Sequence, residues 1–120
     1  MDIGETLAVT SRAEWRDWLE THSGTYKDIW LVYFKKSSGK TGIAYEDSVE
    51  EALCFGWIDG QMKSMDSERY AIRFTPRKPR SKWSETNRAL ALRLMREGRM
   101  AEAGKAALPP DLQSSSSTDT

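Results

Sequence analysis

The sequence contains very few of the residues that build disulfides, metal sites and histidine-based active sites. It has one cysteine and one histidine among 120 residues. An internal disulfide is therefore excluded, and so is a structural zinc site in the monomer. No apolar run approaches the length of about 18 residues that predicts a transmembrane segment. The start, Met1 to Glu5, lacks the apolar core of a secretory signal, so we expect a reducing, cytoplasmic setting with no metal and no cofactor.

The sequence also lacks net charge, because 18 Lys and Arg residues balance 18 Asp and Glu residues. This balance excludes a globally basic nucleic-acid-binding protein and a polyacidic tail protein. The charges are nevertheless unevenly placed. Residues 45–59 hold five acids and no base, whereas residues 69–88, here called the basic stretch, hold seven bases and one acid. We expect any functional signal to lie in that contrast.

Five Trp, four Tyr and three Phe residues exclude a disordered chain, because these side chains need burial. Apolar periodicity predicts helices over about 11–23, 45–57, 84–97 and 99–108, a strand at 29–34 and a hairpin at 61–75. The order α-β-α-β-β-α-α indicates an α+β fold with a small antiparallel or mixed sheet of about three strands, packed by three to four helices. We expect a flexible leader at 1–10, one globular domain at 11–108 and a disordered tail at 109–120.

The strand at 29–34 is continuously apolar, which predicts that both of its faces are covered. We expect its residues to share one core with the hairpin and with three of the helices. The predicted core comprises Trp15, Leu19, Trp30, Val32, Leu53, Ile72, Phe74 and Leu94.

Three candidate sites have weak signals. Ser38 to Thr41 is similar to the end of a phosphate-binding loop, but Phe34 stands where that motif needs its first glycine. His22 lies near the end of a helix, where an interaction with the helix dipole is the commoner role. Cys54 fits a small buried hydrophobe, although a nucleophile remains an alternative.

The basic stretch carries the strongest signal. It combines cations such as Arg73 and Arg77 with the hydroxyls of Ser81 and Ser84 and with the start of a helix, a combination that favours anion binding. Trp57 and Trp83 could supply stacking faces. The alternative is a solvated charge run that pairs with the acidic helix at 45–57.

Asp59 lies between Ile58 and Gly60, directly after that acidic helix. It either satisfies the turn or contacts a ligand. Since a half-buried carboxylate needs a partner, we expect Asp59 to lie within hydrogen-bonding reach of Arg73 or Arg77, at the rim of a concave site that Trp83 also bounds.

Several motifs closely resemble the YdeI/OmpD-associated, or bacteriocin-protection, family. They are Trp30-Leu31-Val32, residues 52–60 (ALCFGWIDG), residues 73–77 (RFTPR) and residues 81–87 (SKWSETN), and the resemblance extends over about residues 11–108. The resemblance implies a role in helping cells survive exposure to bacteriocins or antimicrobial peptides. It also implies an association with the cell envelope, which conflicts with the lack of a visible secretory signal. It implies no catalytic residues. The candidate ligand-binding residues are Trp57, Asp59, Arg73, Arg77, Ser81, Trp83, Ser84 and Asn87.

Three functions follow. The first is a cytoplasmic stress-protection domain that binds a small anionic ligand or a partner in a pocket lined by residues 55–60 and 76–84. The second is a nucleic-acid-binding module that uses residues 69–88. The third is a small enzyme that uses Asp59 or Cys54. Zero net charge disfavours the second function, and the absence of a base–nucleophile pair disfavours the third.

Overall fold

The structure is a computed structural model that describes residues 4–78, 82–109 and 112. Its elements, in chain order, are β1 (Thr6–Leu7), α1 (Arg12–His22), β2 (Ile29–Phe34), a short 3-10 helix (Lys36–Ser38), α2 (Tyr45–Cys54), β3 (Trp57–Ser64), β4 (Arg69–Pro76), α3 (Glu85–Arg96) and α4 (Glu102–Ala106). The fold is α+β, as the sequence predicts.

The four strands form one mixed sheet in the order β1-β2-β4-β3. Strand β1 runs parallel to β2, and the other two pairings are antiparallel. The extra strand lies within the predicted flexible leader, where Thr6 pairs with Trp30 and the Trp30 amide donates to the Glu5 carbonyl at 3.0 Å. At Thr6 and Leu7 the structure has a strand where the sequence predicts a flexible leader. A two-residue strand is too short to show an alternating pattern in the sequence.

Local signals place the start of α1. The Ser11 hydroxyl accepts from the Glu14 amide at 3.2 Å, and the Glu14 carboxylate accepts from the Thr10 amide at 2.6 Å. Together these bonds satisfy donors that a helix N-terminus otherwise leaves free. The helix then buries Trp15 and Leu19 completely against the sheet.

One face of the sheet carries the main core. Ile29, Leu31 and Tyr33 of β2 join Ile72 and Phe74 of β4 in a cluster with residues of α1, α2 and α3.

The other face buries Trp30 and Val32, which the sequence predicts in the main core. Both side chains are buried, but they lie outside the core cluster, and Val32 pairs with the buried Ala71 across the strands. Successive residues of a strand point to opposite faces, so Trp30 and Val32 cannot share a face with Leu31. The predicted burial of β2 on both faces is confirmed.

The end of the described chain packs on the core. Leu108 and Leu112 are buried in the cluster, and the Leu112 amide donates to the Pro109 carbonyl at 3.0 Å. At Leu112 the structure therefore differs from the disordered tail predicted over 109–120. Burial of this large apolar side chain accounts for the difference. Residues 110, 111 and 113–120 lie outside the described part of the chain.

Candidate functional site

The acids of α2 are held by arginines from other helices. Glu51 is completely buried and accepts hydrogen bonds from Arg12 at 2.8 Å, from Arg16 at 2.9 Å and from Arg99. Burial raises the pKa of Glu51, but the bonds from Arg16, Arg12 and Arg99 outweigh burial and hold the pKa below its usual value. This carboxylate is therefore ionised inside the fold.

Glu50 extends the same network. It accepts from Arg12 at 2.9 Å and from Arg93 at 2.6 Å, while Asp47 also accepts from Arg12 at 3.0 Å. These acids and arginines join α1, α2, α3 and the segment before α4. We call Glu50, Glu51, Arg12, Arg16, Arg93 and Arg99 the arginine–glutamate network. This network is not among the features predicted from the sequence, although the spacing of Arg12 and Arg16 by one helical turn is a visible signal.

The network corrects one sequence interpretation, in which the acids of residues 45–59 pair with the basic stretch. Asp47, Glu50 and Glu51 are instead bonded to arginines outside that stretch.

Cys54 lies beside the network and is completely buried. Burial raises the pKa of its thiol, and the nearby charge of Glu51 adds to this effect. A raised pKa disfavours the thiolate that a cysteine nucleophile needs. Cys54 is thus a small buried side chain, and the enzyme hypothesis loses one of its two candidates.

Two bases of the basic stretch form ion pairs within the fold. Arg69 bonds to Asp66 at 2.8 Å, and Arg73 bonds to Asp28 at 2.9 Å. Asp59 pairs with Phe74 across the strands, so Arg73, which precedes Phe74, projects from the opposite face of the sheet. Arg73 therefore pairs with Asp28 and does not join Asp59.

Arg77 follows the end of β4 and is stacked on Trp83. Its guanidinium carbon lies 3.9 Å from the centroid of the indole, which is close cation–π contact. Its Nη2 donates to the Lys82 carbonyl at 3.1 Å, and its backbone amide donates to the Gly56 carbonyl at 2.8 Å. Arg77 and Trp83, both in predicted motifs, are thus brought together.

Two donors of this guanidinium have no acceptor within the part of the chain that the structure describes. The Nε and Nη1 atoms of Arg77 are enclosed by protein and make no hydrogen bond to any residue that the structure describes. Burial lowers the pKa of Arg77 from its usual value, and the charge of Asp59 opposes that shift. The guanidinium remains charged at neutral pH, since arginine is protonated over the whole physiological range. Arg77 is therefore an enclosed cation with two donors that the described residues leave unpaired.

Asp59 is half-buried on β3 and accepts a hydrogen bond from the Tyr45 hydroxyl at 2.7 Å. This bond and partial burial raise the pKa of Tyr45 to about 12. Within the described residues, Asp59 makes no ion pair with Arg77, although its charge opposes the fall in the pKa of Arg77. The predicted hydrogen bond to an arginine is wrong, because Tyr45 at the first turn of α2 provides the partner instead.

Tyr45 is held in place by neighbouring polar groups. The Ser48 hydroxyl donates to the Tyr45 carbonyl at 2.6 Å and shares a second hydrogen bond of 2.6 Å with the Tyr33 hydroxyl. Tyr33 in turn stacks on Tyr70, with ring centroids 5.1 Å apart. These contacts connect the start of α2 to β2 and β4, and they fix the direction from which Tyr45 approaches Asp59.

The remaining predicted site residues have other roles or lie elsewhere. Trp57 is buried in the core against Trp18, with ring centroids 5.9 Å apart, so it is no wall of an open site. Ser84 caps α3 by accepting from the Asn87 amide at 3.1 Å. Ser81 lies outside the described residues. What remains is a group of four residues, which we call the Arg77 site: Tyr45, Asp59, Arg77 and Trp83.

Two weak signals can now be placed. Lys40, in the loop that is similar to a phosphate-binding loop, bonds to Glu68 at 2.9 Å and so fastens that loop to the β3–β4 turn. His22 contacts the rings of Trp18 and Tyr26 at centroid distances of 5.1 and 5.3 Å. Both residues have structural contacts.

Two further observations concern metals and membranes. Across residues 4–78, 82–109 and 112, no three His, Cys, Asp or Glu side chains lie close enough to hold a metal ion. In the same part of the chain, no helix has both the length and the hydropathy needed to cross a membrane.

The fold and the site define a small α+β domain with an enclosed, tryptophan-stacked arginine. The sequence model of a family described as Domain of unknown function (DUF8412) matches residues 7–107, and the chain belongs to that family. Comparison with curated proteins and with solved structures found no match.

Proposed function

We propose that this domain binds a small anionic ligand at the Arg77 site. The observation that carries the proposal is the Arg77 guanidinium, which is stacked on Trp83 and has two enclosed donors without an acceptor among the described residues. Leaving a buried charged donor unpaired costs on the order of several kcal/mol. An anion would supply the missing acceptors.

The chemistry of the side chain favours carboxylate, phosphate or sulfate. A guanidinium presents its donors in a planar fork that matches these anions. Lys78 and Lys82, which both lie between Arg77 and Trp83 in the sequence, are exposed and add positive charge. Because Nε and Nη1 are enclosed, an anion reaches them only when neighbouring side chains move, and the Trp83 ring stacks directly on the guanidinium. Binding should therefore alter the environment of Trp83.

In the cell, the proposed role is the one that the resemblance to the bacteriocin-protection family implies. Under this proposal the domain acts in the cytoplasm, where binding of an anionic ligand helps the cell survive exposure to antimicrobial peptides.

The other two functions have less support. Arg69 and Arg73 are engaged in ion pairs, which leaves fewer bases of residues 69–88 for nucleic-acid phosphates. An enzyme would need an activated nucleophile or an acid–base pair. Cys54 is completely buried, and Asp59 already accepts a hydrogen bond from Tyr45.

Titration of the protein with phosphate, sulfate and acetate, followed by backbone amide NMR shifts, tests the proposal. We expect saturable shifts centred on residues 77 and 83 in the wild type. Arg77→Gln should lose at least about tenfold in affinity, because a neutral amide cannot replace the charged fork. Arg77→Lys, which keeps the charge alone, should bind weakly.

Arg69→Gln is the matched control, since it removes an arginine of the same stretch that already has a partner in Asp66. It should bind the anions like the wild type. Thermal unfolding of each variant checks that the fold is retained. Absence of saturable binding to any of the three anions by the wild type would overturn the proposal, as would an equal loss in the control.

A further inference from the structure

We infer that the edge strand β3 is an interaction surface for an extended basic peptide, which adds to the sheet as a further strand and places a lysine or arginine on Asp59. The basis of this inference is the position of Asp59 and Met62 beside one another on an open edge of the sheet. It requires no anion at Arg77, and so it goes beyond the proposed function.

The two edge strands of the sheet differ in length. Strand β1 forms one edge with two residues, whereas β3 forms the other with eight residues. Amide and carbonyl groups on the outer side of an edge strand have no strand partner. Gly60, Gln61 and Met62 are exposed, so this part of the β3 edge is open to an incoming strand. Extended peptides bind such edges through main-chain hydrogen bonds.

The register irregularity of β3 brings an acid and an apolar side chain onto one face. Asp59 is opposite Phe74, and Met62 is opposite Ile72, two core-facing residues of β4. Directly opposed residues of paired strands share a face. In a regular strand, residues three apart point to opposite faces, so the irregularity between Asp59 and Met62 is what aligns them. Their partners on β4 are two residues apart, or about 7 Å along the strand.

Tyr45 borders the same part of the edge. Its hydroxyl donates to Oδ2 of Asp59 at 2.7 Å, which places the end of its side chain against β3. Among the described residues, Tyr45 and Met62 are the large hydrophobic side chains that are exposed, at 43% and 64%. Both therefore offer apolar surface to the side chains of an added strand. We call Tyr45, Asp59 and Met62 the β3 edge patch.

Charge complementarity selects a basic partner for the β3 edge patch. Oδ1 of Asp59 receives no hydrogen bond from the described part of the chain, and its carboxylate is only half-buried. Glu46, which follows Tyr45 in the first turn of α2, adds a second exposed acid. A lysine or arginine binds a free carboxylate oxygen through a charge-assisted hydrogen bond. A second copy of this chain would instead bring another Asp59 to the edge, and like charges oppose strand pairing.

A palindromic peptide tests the inference, because it presents the same order of side chains in either strand direction. The probe is acetyl-Thr-Val-Thr-Lys-Thr-Val-Thr-amide, and the matched peptide has glutamate in place of lysine. In either direction a valine lies beside the lysine on one face, as Met62 lies beside Asp59. By backbone amide NMR shifts centred on residues 59–62, the lysine peptide should bind the wild type at least about fivefold more tightly than the glutamate peptide.

Two substitutions separate the charge from the apolar contact. In Asp59→Asn the amide still accepts from Tyr45, so the fold should be kept, which thermal unfolding checks. The advantage of the lysine peptide should fall below about twofold in this variant. Met62→Ser should weaken both peptides by about threefold, because the exposed apolar contact is lost. Glu20→Gln is the control, since it removes an exposed carboxylate on α1, and it should change neither affinity.

N-methylation of the lysine peptide tests the main-chain pairing. In a strand the amides of alternate residues point to the same side, so one peptide is methylated on the valines and the lysine, and another is methylated on the threonines. One of the two should lose at least about tenfold in affinity, because its methyl groups face β3. The other should bind within about twofold of the parent peptide.

The outcomes are distinct from those for anion binding at Arg77, which the phosphate titration measures separately. The inference fails if the wild type binds neither peptide or binds both equally. Equal effects of the two methylation patterns would exclude addition of a strand. Dimers that form through residues 59–62 without peptide, seen by size-exclusion chromatography and concentration-dependent NMR shifts, would make a second copy the occupant and overturn the inference.

Discussion

The Asp59 carboxylate has two unlike neighbours. The Tyr45 hydroxyl donates to it at 2.7 Å, and the Arg77 guanidinium acts on it only through space. The substitution Asp59→Asn keeps the shape of the side chain and an acceptor oxygen for Tyr45 but removes the negative charge. It therefore separates the effect of the hydrogen bond from the effect of the charge. At the scale of the residue, Asp59 is therefore the position where the electrostatics of the site are set.

Tyr45 should titrate at an unusually high pH. The hydrogen bond to Asp59 and partial burial raise the pKa of Tyr45 to about 12 from the usual 10.0, because ionised tyrosine beside a carboxylate is disfavoured. In Asp59→Asn we expect this pKa to fall toward 10.0. The stabilisation from this contact is present below pH 10 and is lost as the pH rises through 12.

The measurement is a residue-specific NMR titration of the tyrosine rings. Tyr26, whose pKa is raised by a separate hydrogen bond to Glu5, is the internal control and should not respond to the Asp59 substitution. A wild-type Tyr45 that titrates near 10 would contradict the bond to Asp59.

At the scale of the element, α4 illustrates how closely backbones approach in this fold. The Ala101 amide donates to the Cys54 carbonyl at 2.9 Å, and a Cβ added at Gly104 would overlap that same carbonyl oxygen. Gly56, just after α2, has a φ of 78° and faces the Ala103 carbonyl. The end of α2 and the short α4 therefore pack through glycines, which permit both the left-handed turn and the close contact.

Gly104→Ala should destabilise the protein by about 1–3 kcal/mol, because α4 must move away from Cys54 to admit the methyl group. The higher helix propensity of alanine offsets about 1 kcal/mol of the strain and is included in that range. Urea unfolding measures the change.

Gly24→Ala is the matched control, since a Cβ there meets no atom within 4 Å. It should change the free energy of unfolding by less than about 0.5 kcal/mol. Equal effects at the two positions would show that α4 does not dock as described.

At the scale of the whole molecule, the arginine–glutamate network joins three helices and the segment before α4. Its centre, Glu51, has a side chain only 1% exposed, while the arginines around it keep part of their surface in water. Removing Glu51 would leave the guanidinium groups of Arg12, Arg16 and Arg99 without the carboxylate that they share. The helices thus pack against one another through charge as well as through the apolar core.

Stability should therefore decline in acid. Because the arginines hold the pKa values of Glu50 and Glu51 below 4.5, the unfolded state binds more protons than the folded state as the pH falls past 4.5. The contribution of the network is complete above that pH and is lost as the pH drops through the lower folded values. Glu51→Gln should cost about 3 kcal/mol at neutral pH and flatten this acid dependence.

Urea unfolding at a series of pH values measures both effects. Glu20→Gln is the control, because Glu20 is 55% exposed and its ion pair with Arg16 is long, at 3.9 Å. In that variant, the free energy of unfolding should depend on pH almost as it does in the wild type. An unchanged acid dependence in Glu51→Gln would contradict the role given to the network.

The sequence by itself determined the features that depend on neighbouring residues. Ser11 and Ser84 cap their helices as the local pattern predicts, and the alternation of β4 places Ile72 and Phe74 on the core side. Helix periodicity, capping and strand alternation involve contacts only a few residues apart, so a linear pattern contains them. The α+β class follows from the order of the elements.

Only the tertiary structure decided which distant side chains meet. Arg73 forms an ion pair with Asp28, and Asp59 accepts a hydrogen bond from Tyr45. Glu51 binds arginines from separate parts of the chain. The face of the sheet on which a charged side chain lies depends on the strand register. On β3 the register shifts between Asp59 and Met62, and a periodic sequence pattern does not predict such an irregularity. The sequence therefore identified Asp59, Arg77 and Trp83 as candidates, and the register of β3 against β4 determined their partners.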